Sequence, residues 1–130
     1  MAIAKGTFEV KLTLDTPEGI GGDPLLGRRS IEKHFSGDLH ATSTGEMLSA
    51  GTPVKGSAVY VAVEKVSGTL LGKTGTFALY HVGVMSGGGA DLSVRVAPDS
   101  GAGDLTGISG TMKIIIAGGQ HSYEFDYSIA

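Results

Sequence analysis

Apolar and polar residues alternate along most of this 130-residue chain. Between residues 7 and 14, Phe8, Val10, Leu12 and Leu14 are separated by polar side chains, which is the two-residue period of a β-strand with one buried face. No segment has the period of an α-helix. The pattern predicts eight strands, at residues 7–14, 27–36, 38–50, 57–67, 74–86, 91–98, 105–117 and 120–129.

Short glycine-containing segments separate the predicted strands. Gly37, residues 87–89 and residues 118–119 are turns of the length that joins antiparallel neighbours. Closure of the resulting sheet would remove both of its edges. We therefore predict an all-β fold, a single eight-stranded antiparallel up-and-down β-barrel formed by residues 1–130. A barrel of this size is filled by side chains or holds one small ligand.

Two segments depart from simple alternation. Residues 16–24 contain both proline and glycine, so they predict a loop, and long loops in compact domains often form the lid or mouth of a pocket. Residues 58–63, in strand four, are almost continuously apolar. This run predicts burial on both faces, by the barrel interior and by another subunit or a covering loop.

Composition narrows the classes of function. The net charge of −3 argues against a broad nucleic-acid surface, which needs clustered Lys and Arg. The chain has no cysteine, which excludes disulfides, zinc-thiolate sites and cysteine nucleophiles. Residues 1–6 lack the apolar run of a signal peptide, and no stretch is long enough to span a bilayer. We expect a soluble, cytoplasmic protein with neither nucleic acid nor a membrane as partner.

A tempting phosphate-binding motif fails on its spacing. Gly72, Lys73 and Thr74 resemble the end of a phosphate-binding loop, but Ser67 stands where that loop needs a glycine. The residues that follow alternate as a strand and do not open a helix. This segment therefore predicts a hairpin turn.

Three segments, 45–51, 98–105 and 121–127, resemble a bacterial family known as domain of unknown function 3224. The resemblance covers nearly the whole chain. That family is similar in fold to the plant allene oxide cyclases, and residues 36–39 and 100–110 also resemble cyclase turns. The resemblance implies an allene-oxide-cyclase-like, or lipocalin-like, barrel.

Allene oxide cyclases bind a fatty-acid-derived epoxide inside the barrel and close a ring with an apolar cavity, a bound water and a glutamate. The resemblance thus implies cofactor-free isomerase or cyclase chemistry and, because the plant proteins are oligomers, a homo-oligomer. The shared segments are turns, which carry the fold and not the catalysis. Whether the chain is an enzyme stays open, and no catalytic residue is carried over.

His81 is the first candidate for chemistry inside the barrel. It shares one face of its strand with Phe77, Leu79 and Met85, so it would lie among apolar groups. Burial favours the neutral imidazole, which suits a general base. The alternative is a structural histidine of the core.

Glu64 and Tyr60 are the next candidates, because they share a face with small residues such as Ala62. Burial of a carboxyl in an apolar cavity raises its pKa and allows it to act as an acid or base. The alternative is that Glu64 faces solvent. In that case Val59 and its neighbours of the same parity would form the inward set.

The remaining candidates are ligand-binding residues. Glu46 shares a face with Leu48, and Tyr123 belongs to an aromatic face that is either dense core or the wall of a pocket. Phe77, Met85, Glu46 and Tyr123 are therefore candidate ligand contacts.

Asp38 and His40 could supply two metal ligands, but no tight histidine pair accompanies them. We therefore expect no metal and no other cofactor.

Two hypotheses about function remain. The first is a barrel that binds a small apolar or amphipathic ligand, with cofactor-free isomerase or cyclase activity through His81, Glu64 and Tyr60. The alternative is a non-catalytic, oligomeric structural or stress-associated protein whose barrel is filled by its own side chains. They differ in whether the interior admits a ligand.

Overall fold

The computed structural model describes residues 2–130, and Met1 lies outside the described part. The described chain is built of strands and turns and contains no helix. Its strands are β1 (Ala2–Leu14), β2 (Leu26–Gly37), β3 (Leu39–Gly51), β4 (Ala58–Leu70), β5 (Lys73–Ser86), β6 (Gly89–Val96), β7 (Ala102–Gly103), β8 (Ile108–Ala117) and β9 (Gln120–Ile129).

Eight of these strands form a closed antiparallel barrel. Their order in the sheet is β4-β3-β2-β1-β9-β8-β6-β5, and the pairing of β5 with β4 closes it. Neighbours in the barrel are neighbours in the chain, apart from the junction between the first and last strands. The short β7 adds one further pairing, with Gly75 and Thr76 of β5. The predicted fold class is confirmed.

Several strand boundaries differ from the prediction, and the starts of two strands differ most. β1 begins at Ala2 and not at residue 7, because its first half pairs with β9, from Ala2 opposite Tyr127 to Phe8 opposite His121. The predicted strand at 105–117 begins only at Ile108. Backbone hydrogen bonds from Leu105 to Ala102 and from Ile108 to Leu105 make a turn before it.

The hairpin between β4 and β5 shows why glycine is needed there. Leu71 has φ +45° and Gly72 has φ +87°, so both central residues of this two-residue turn are left-handed. That is the backbone of a turn whose twist matches the flanking strands. The predicted hairpin turn at residues 72–74 is thus at the right place, although the strand already begins at Lys73.

The two ends of the barrel differ. The connections at residues 15–25, 52–57, 87–88 and 118–119 lie at one end, which we call the open end, and those at 38, 71–72 and 97–107 lie at the other, the closed end. Burial is greatest toward the closed end, where Leu39 and Leu70 are completely buried and Leu105 is almost so. The loop predicted as a lid or mouth element lies at the open end.

Aromatic rings fill the closed half of the barrel. Phe77 stacks on Phe125 with 5.6 Å between ring centroids, and Phe35 meets Tyr123 edge to face at 5.7 Å. The Tyr123 hydroxyl donates to the carbonyl of Ser36 and accepts the backbone N–H of Leu39. These contacts tie the last strand to the connection between β2 and β3.

The outward face of β4 is exposed. Val59, Val61 and Val63 are 46%, 50% and 61% accessible, and no loop of the described chain covers them. Burial of this strand on both faces would therefore require a second molecule. Residues 2–130 contain no helix with the length and apolar character needed to cross a bilayer.

Candidate ligand-binding site

β4 directs Glu64 into the barrel. Ala62, Glu64 and Val66 are 5%, 2% and 0% exposed, so the set with even numbers faces inward and the valines between them face outward. Gly45 is the residue of β3 directly opposite Glu64. A side chain at Gly45 would overlap the backbone of β4, so the glycine lets the two strands approach closely at this point.

Three neighbouring side chains bind the Glu64 carboxylate. Lys33 on β2 places Nζ 2.8 Å from Oε2, and His81 on β5 places Nε2 2.6 Å from the same oxygen. Ser43 on β3 donates its hydroxyl to Oε1 at 2.8 Å. All four residues are buried. We call Lys33, Ser43, Glu64 and His81 the polar cluster.

The cluster keeps Glu64 ionised. Burial by itself raises the pKa of the Glu64 carboxyl, but the His81 hydrogen bond and the Lys33 charge outweigh burial and lower the pKa to about 2. The raised pKa expected from the sequence is wrong, because that expectation placed the carboxyl among apolar groups alone. Glu64 is a permanent anion near neutral pH and not a proton donor.

The ionised carboxylate determines the tautomer of His81. A carboxylate oxygen only accepts hydrogen bonds, so Nε2 carries the proton that it shares with Glu64. Nδ1 has no hydrogen-bond partner within residues 2–130, and it is not completely shielded from solvent. In the neutral ring, Nδ1 therefore presents a lone pair that can accept a proton.

Lys33 retains unused donors. Its Nζ lies 5.0 Å from the ring centroid of Phe8 and 5.8 Å from that of Phe35, distances at which a cation is attracted to an aromatic face. Glu64 is its hydrogen-bonding partner in the described chain. An ammonium has three N–H donors, so two remain for another acceptor.

The polar cluster adjoins a cavity of about 160 Å³ toward the open end. Lys33 and His81 line it from the polar side, together with Tyr60 and His121. Burial and the negative charge of Glu64 raise the pKa of the Tyr60 phenol, which therefore stays protonated. The apolar wall includes Val10, Leu12, Ile31, Leu92, Ile114 and Ile116.

The mouth of this cavity is apolar. Leu12, Leu92 and Ile116 line the cavity and are nevertheless exposed. They surround the opening close to the ends of their strands, and the loop at 15–25 follows directly after β1. An apolar group can therefore pass from solvent to the polar cluster along apolar side chains.

The structure brings together three of the residues proposed from the sequence and separates the others. His81, Glu64 and Tyr60 lie in or beside the cavity. Phe77 and Tyr123 belong to the aromatic core of the closed half. Met85 is at the rim on the inner face and is exposed.

Glu46 and the metal candidates lie elsewhere. Glu46 is on the outer face, where its carboxylate lies 3.9 Å from Arg28. Asp38 accepts the backbone N–H of Lys5, and His40 packs its ring edge against His34 at 6.1 Å. The structure does not place these residues at the cavity.

Sequence reasoning missed Lys33 and Ser43. A signal was present for Lys33, because it falls between Ile31 and Phe35 in a period of two, and both of those neighbours are buried. Lysine in a strand is usually solvated, so the period alone did not single it out. Ser43 is a small polar residue in a polar stretch and carries no such signal.

Comparison with known proteins places this barrel in a family. A family model described as "Protein of unknown function (DUF3224)" matches residues 4–127. The chain belongs to the DUF3224 family. A solved structure of a DUF3224 protein of unknown function from Shewanella oneidensis MR-1 is 50% identical, with a TM-score of 0.91, over 100% of this chain and 98% of that one. No curated protein matches.

The resemblance seen in the sequence is therefore confirmed at the level of the family and of the barrel fold. Its cyclase-like part stays a prediction. The DUF3224 relative is described as a protein of unknown function, so any statement about activity must come from the site itself.

Proposed function

We propose that this DUF3224 barrel binds a small apolar or amphipathic molecule, with the polar group of the ligand held at the polar cluster. The observation that supports it is a buried lysine, glutamate and histidine beside a cavity with an apolar mouth. A buried ion pair often stabilises a protein less than apolar residues of the same volume would. Buried ionisable groups in a cleft are therefore candidates for function.

The size of the cavity restricts the ligand. An engineered apolar cavity of about 150 Å³ accommodates benzene, so the cavity of about 160 Å³ suits a group of that order. A fatty-acid-derived epoxide would fit only at one end, and the rest of its chain would lie in the mouth. The cavity thus favours a small ring or a short branched chain.

The charges of the cluster restrict the polar group. Lys33 offers spare N–H donors, and its charge is already balanced by Glu64. A neutral acceptor fits this arrangement better than an anion, which would bring a second negative charge close to the carboxylate. We therefore propose a carbonyl oxygen as the polar group of the ligand.

Binding of cyclohexanone tests this proposal. We expect saturation transfer from the protein to the ketone in ligand-observed NMR, and its loss when Ala62→Phe fills the cavity or Ile116→Trp narrows the mouth. Ile3→Phe, on the exposed outer face of β1, is the matched control and should bind as the wild type does. Thermal unfolding confirms that each variant is folded.

Native mass spectrometry of freshly purified protein, with identification of any extracted molecule, complements this experiment. A stoichiometric carbonyl compound would support the proposal. Failure of the wild type to bind cyclohexanone, or equal binding by folded Ala62→Phe, would contradict it.

A second candidate function, a structural homo-oligomer, is favoured by the outer face. A groove of about 500 Å³ lies over β3, β4 and β5, with Leu48, Val61, Val63 and Val82 among its lining residues. A contiguous exposed apolar surface is typical of an interaction site. No other part of residues 2–130 covers this face, so it is available for association.

We propose that a second copy of the chain covers this groove. Arg28 and Glu46 stand in the same groove, half or more exposed and 3.9 Å apart. Under a two-fold axis, each copy would present both charges to the other, which makes the surface self-complementary. The test is the mass in solution: Val61→Lys should give a monomer, whereas Ile3→Lys should leave the assembly unchanged. A monomeric wild type would contradict this second proposal.

A further inference from the structure

We propose that the polar cluster catalyses proton transfer next to a carbonyl group. The reaction is the shift of a carbon–carbon double bond in a small β,γ-unsaturated ketone into conjugation with the carbonyl. His81 acts as the base through Nδ1, and Lys33 donates to the carbonyl oxygen. This inference rests on the proposed function and names the reaction and substrate class of the same site.

The Glu64–His81 pair has the arrangement of a positioned base. Glu64 accepts the Nε2–H of His81 at 2.6 Å, which leaves the lone pair of neutral imidazole on Nδ1. When Nδ1 takes a proton, the adjacent carboxylate stabilises the imidazolium that forms. The carboxylate of a serine-hydrolase triad orients its histidine and stabilises the imidazolium in the same way.

Glu64 itself acts as a positioning residue. Lys33 and Ser43 bind its two oxygens from different strands, so the carboxylate cannot rotate freely. Its low pKa keeps it ionised throughout. The base is therefore presented in one tautomer and one orientation before any ligand enters.

Lys33 supplies the electrophilic partner. It is 8% exposed, and a donor in a water-poor site stabilises developing negative charge more than the same donor does in water. Its contacts with Phe8 and Glu64 hold the ammonium in place. Lys33 Nζ and His81 Nε2 bind the same oxygen of Glu64, and both residues line the cavity.

The reaction balances without a co-reactant. His81 Nδ1 removes a proton from the carbon between the carbonyl and the double bond, and the C–H electron pair moves toward the carbonyl oxygen to form a dienolate. Lys33 hydrogen-bonds to that oxygen. The protonated His81 then returns the proton to the γ-carbon, which leaves a conjugated enone and the original state of the site.

Cyclohex-3-en-1-one is a suitable probe, because its ring is only slightly larger than benzene and its product absorbs in the ultraviolet. We expect the wild type to form cyclohex-2-en-1-one faster than buffer does. His81→Gln should slow the reaction roughly 100-fold or more, the usual contribution of a general base. His34→Gln, on the exposed outer face of β2, is the control and should retain full activity.

Two further measurements separate catalysis from structure. Glu64→Gln should lower kcat more than it changes KM for the ketone, because the carboxylate acts on the ligand only through His81 and Lys33. With cyclohex-3-en-1-one deuterated at the carbon between the carbonyl and the double bond, part of the deuterium should appear at the γ-carbon of the product, because His81 returns the proton that it removes. If NMR shows that the probe binds but the wild type isomerises it no faster than folded His81→Gln does, this inference is wrong and the proposed function stands. Absence of binding would overturn both.

Discussion

His81 and Lys33 contact the same oxygen of one buried glutamate, Oε2 of Glu64, at 2.6 and 2.8 Å. His81 lies on β5 and Lys33 on β2, the two strands that flank β3 and β4 in the barrel wall. A histidine and a cation are thereby held side by side at a cavity whose remaining lining is mostly apolar. Ser43 occupies the second oxygen. The carboxylate thus connects three other strands, so its loss affects both stability and the site.

Loss of the Glu64 charge should destabilise the fold. In Glu64→Gln the buried Lys33 loses its counterion, and breaking a buried ion pair from one side costs about 3–5 kcal/mol. The free energy of unfolding in urea measures this change. Glu46→Gln removes an exposed carboxylate 3.9 Å from Arg28 and should change stability by less than about 1 kcal/mol. Equal effects of the two substitutions would contradict the role of the buried pair.

Stability should depend on pH through Glu64. Its pKa is lowered on folding from 4.5 to about 2, so its contribution is fully present above pH 4.5 and is lost as the pH falls toward 2. A shift of this size corresponds to about 3 kcal/mol. Urea unfolding between pH 6 and pH 2 should show the wild type losing stability faster than Glu64→Gln. Parallel curves would show that this carboxyl is not the responsible group.

Removal of one hydroxyl should weaken the closed end. Tyr123 donates to the carbonyl of Ser36 and accepts the N–H of Leu39. In Tyr123→Phe the buried N–H of Leu39 and the partly buried carbonyl of Ser36 lose this partner, at a cost of about 1–3 kcal/mol. Thermal unfolding should show a clear drop in Tm, whereas Tyr80→Phe, at a half-buried position on the outer face, serves as the comparison and should change Tm little.

The phenol of Tyr60 should lose its proton at a higher pH than an ordinary tyrosine does. Burial and the charge of Glu64 both raise the pKa of its phenol above 10.0. In an ultraviolet titration of the tyrosines, the wild type should therefore show a group that deprotonates at high pH, and this group should be missing from Tyr60→Phe. In Glu64→Gln the same group should titrate earlier, because the negative charge has gone. A Tyr60 signal that does not respond to this substitution would place the phenol away from the cluster.

The period-two pattern was sufficient to predict the barrel, because a strand with one buried face repeats every two residues regardless of its partners. It missed the turn before Ile108, since the apolar Leu105 continues the alternation although backbone hydrogen bonds at 102–105 form a turn. It also missed the early start of β1, where pairing with β9 and not apolar periodicity makes the strand.

The site was harder to predict than the fold, because parity tells which residues share a face but not which face is inside. Glu64 was a catalytic candidate in the sequence and Glu46 a candidate ligand contact. The register places Glu64 in the interior and Glu46 beside Arg28 on the surface. Lys33 was missed because its partner is 31 positions away in sequence. Only the pairing of β2, β3 and β4 brings the two charges together.

The two halves of the barrel are filled to different extents, and they have different roles. Stacked rings and the Tyr123 hydroxyl secure one half, while the wall of the other half holds the cavity. Side chains at the mouth can therefore change size or polarity without disturbing the aromatic half. Within one family, exchange of a few rim residues can therefore reshape the cavity, while the same closed end continues to hold the strands together.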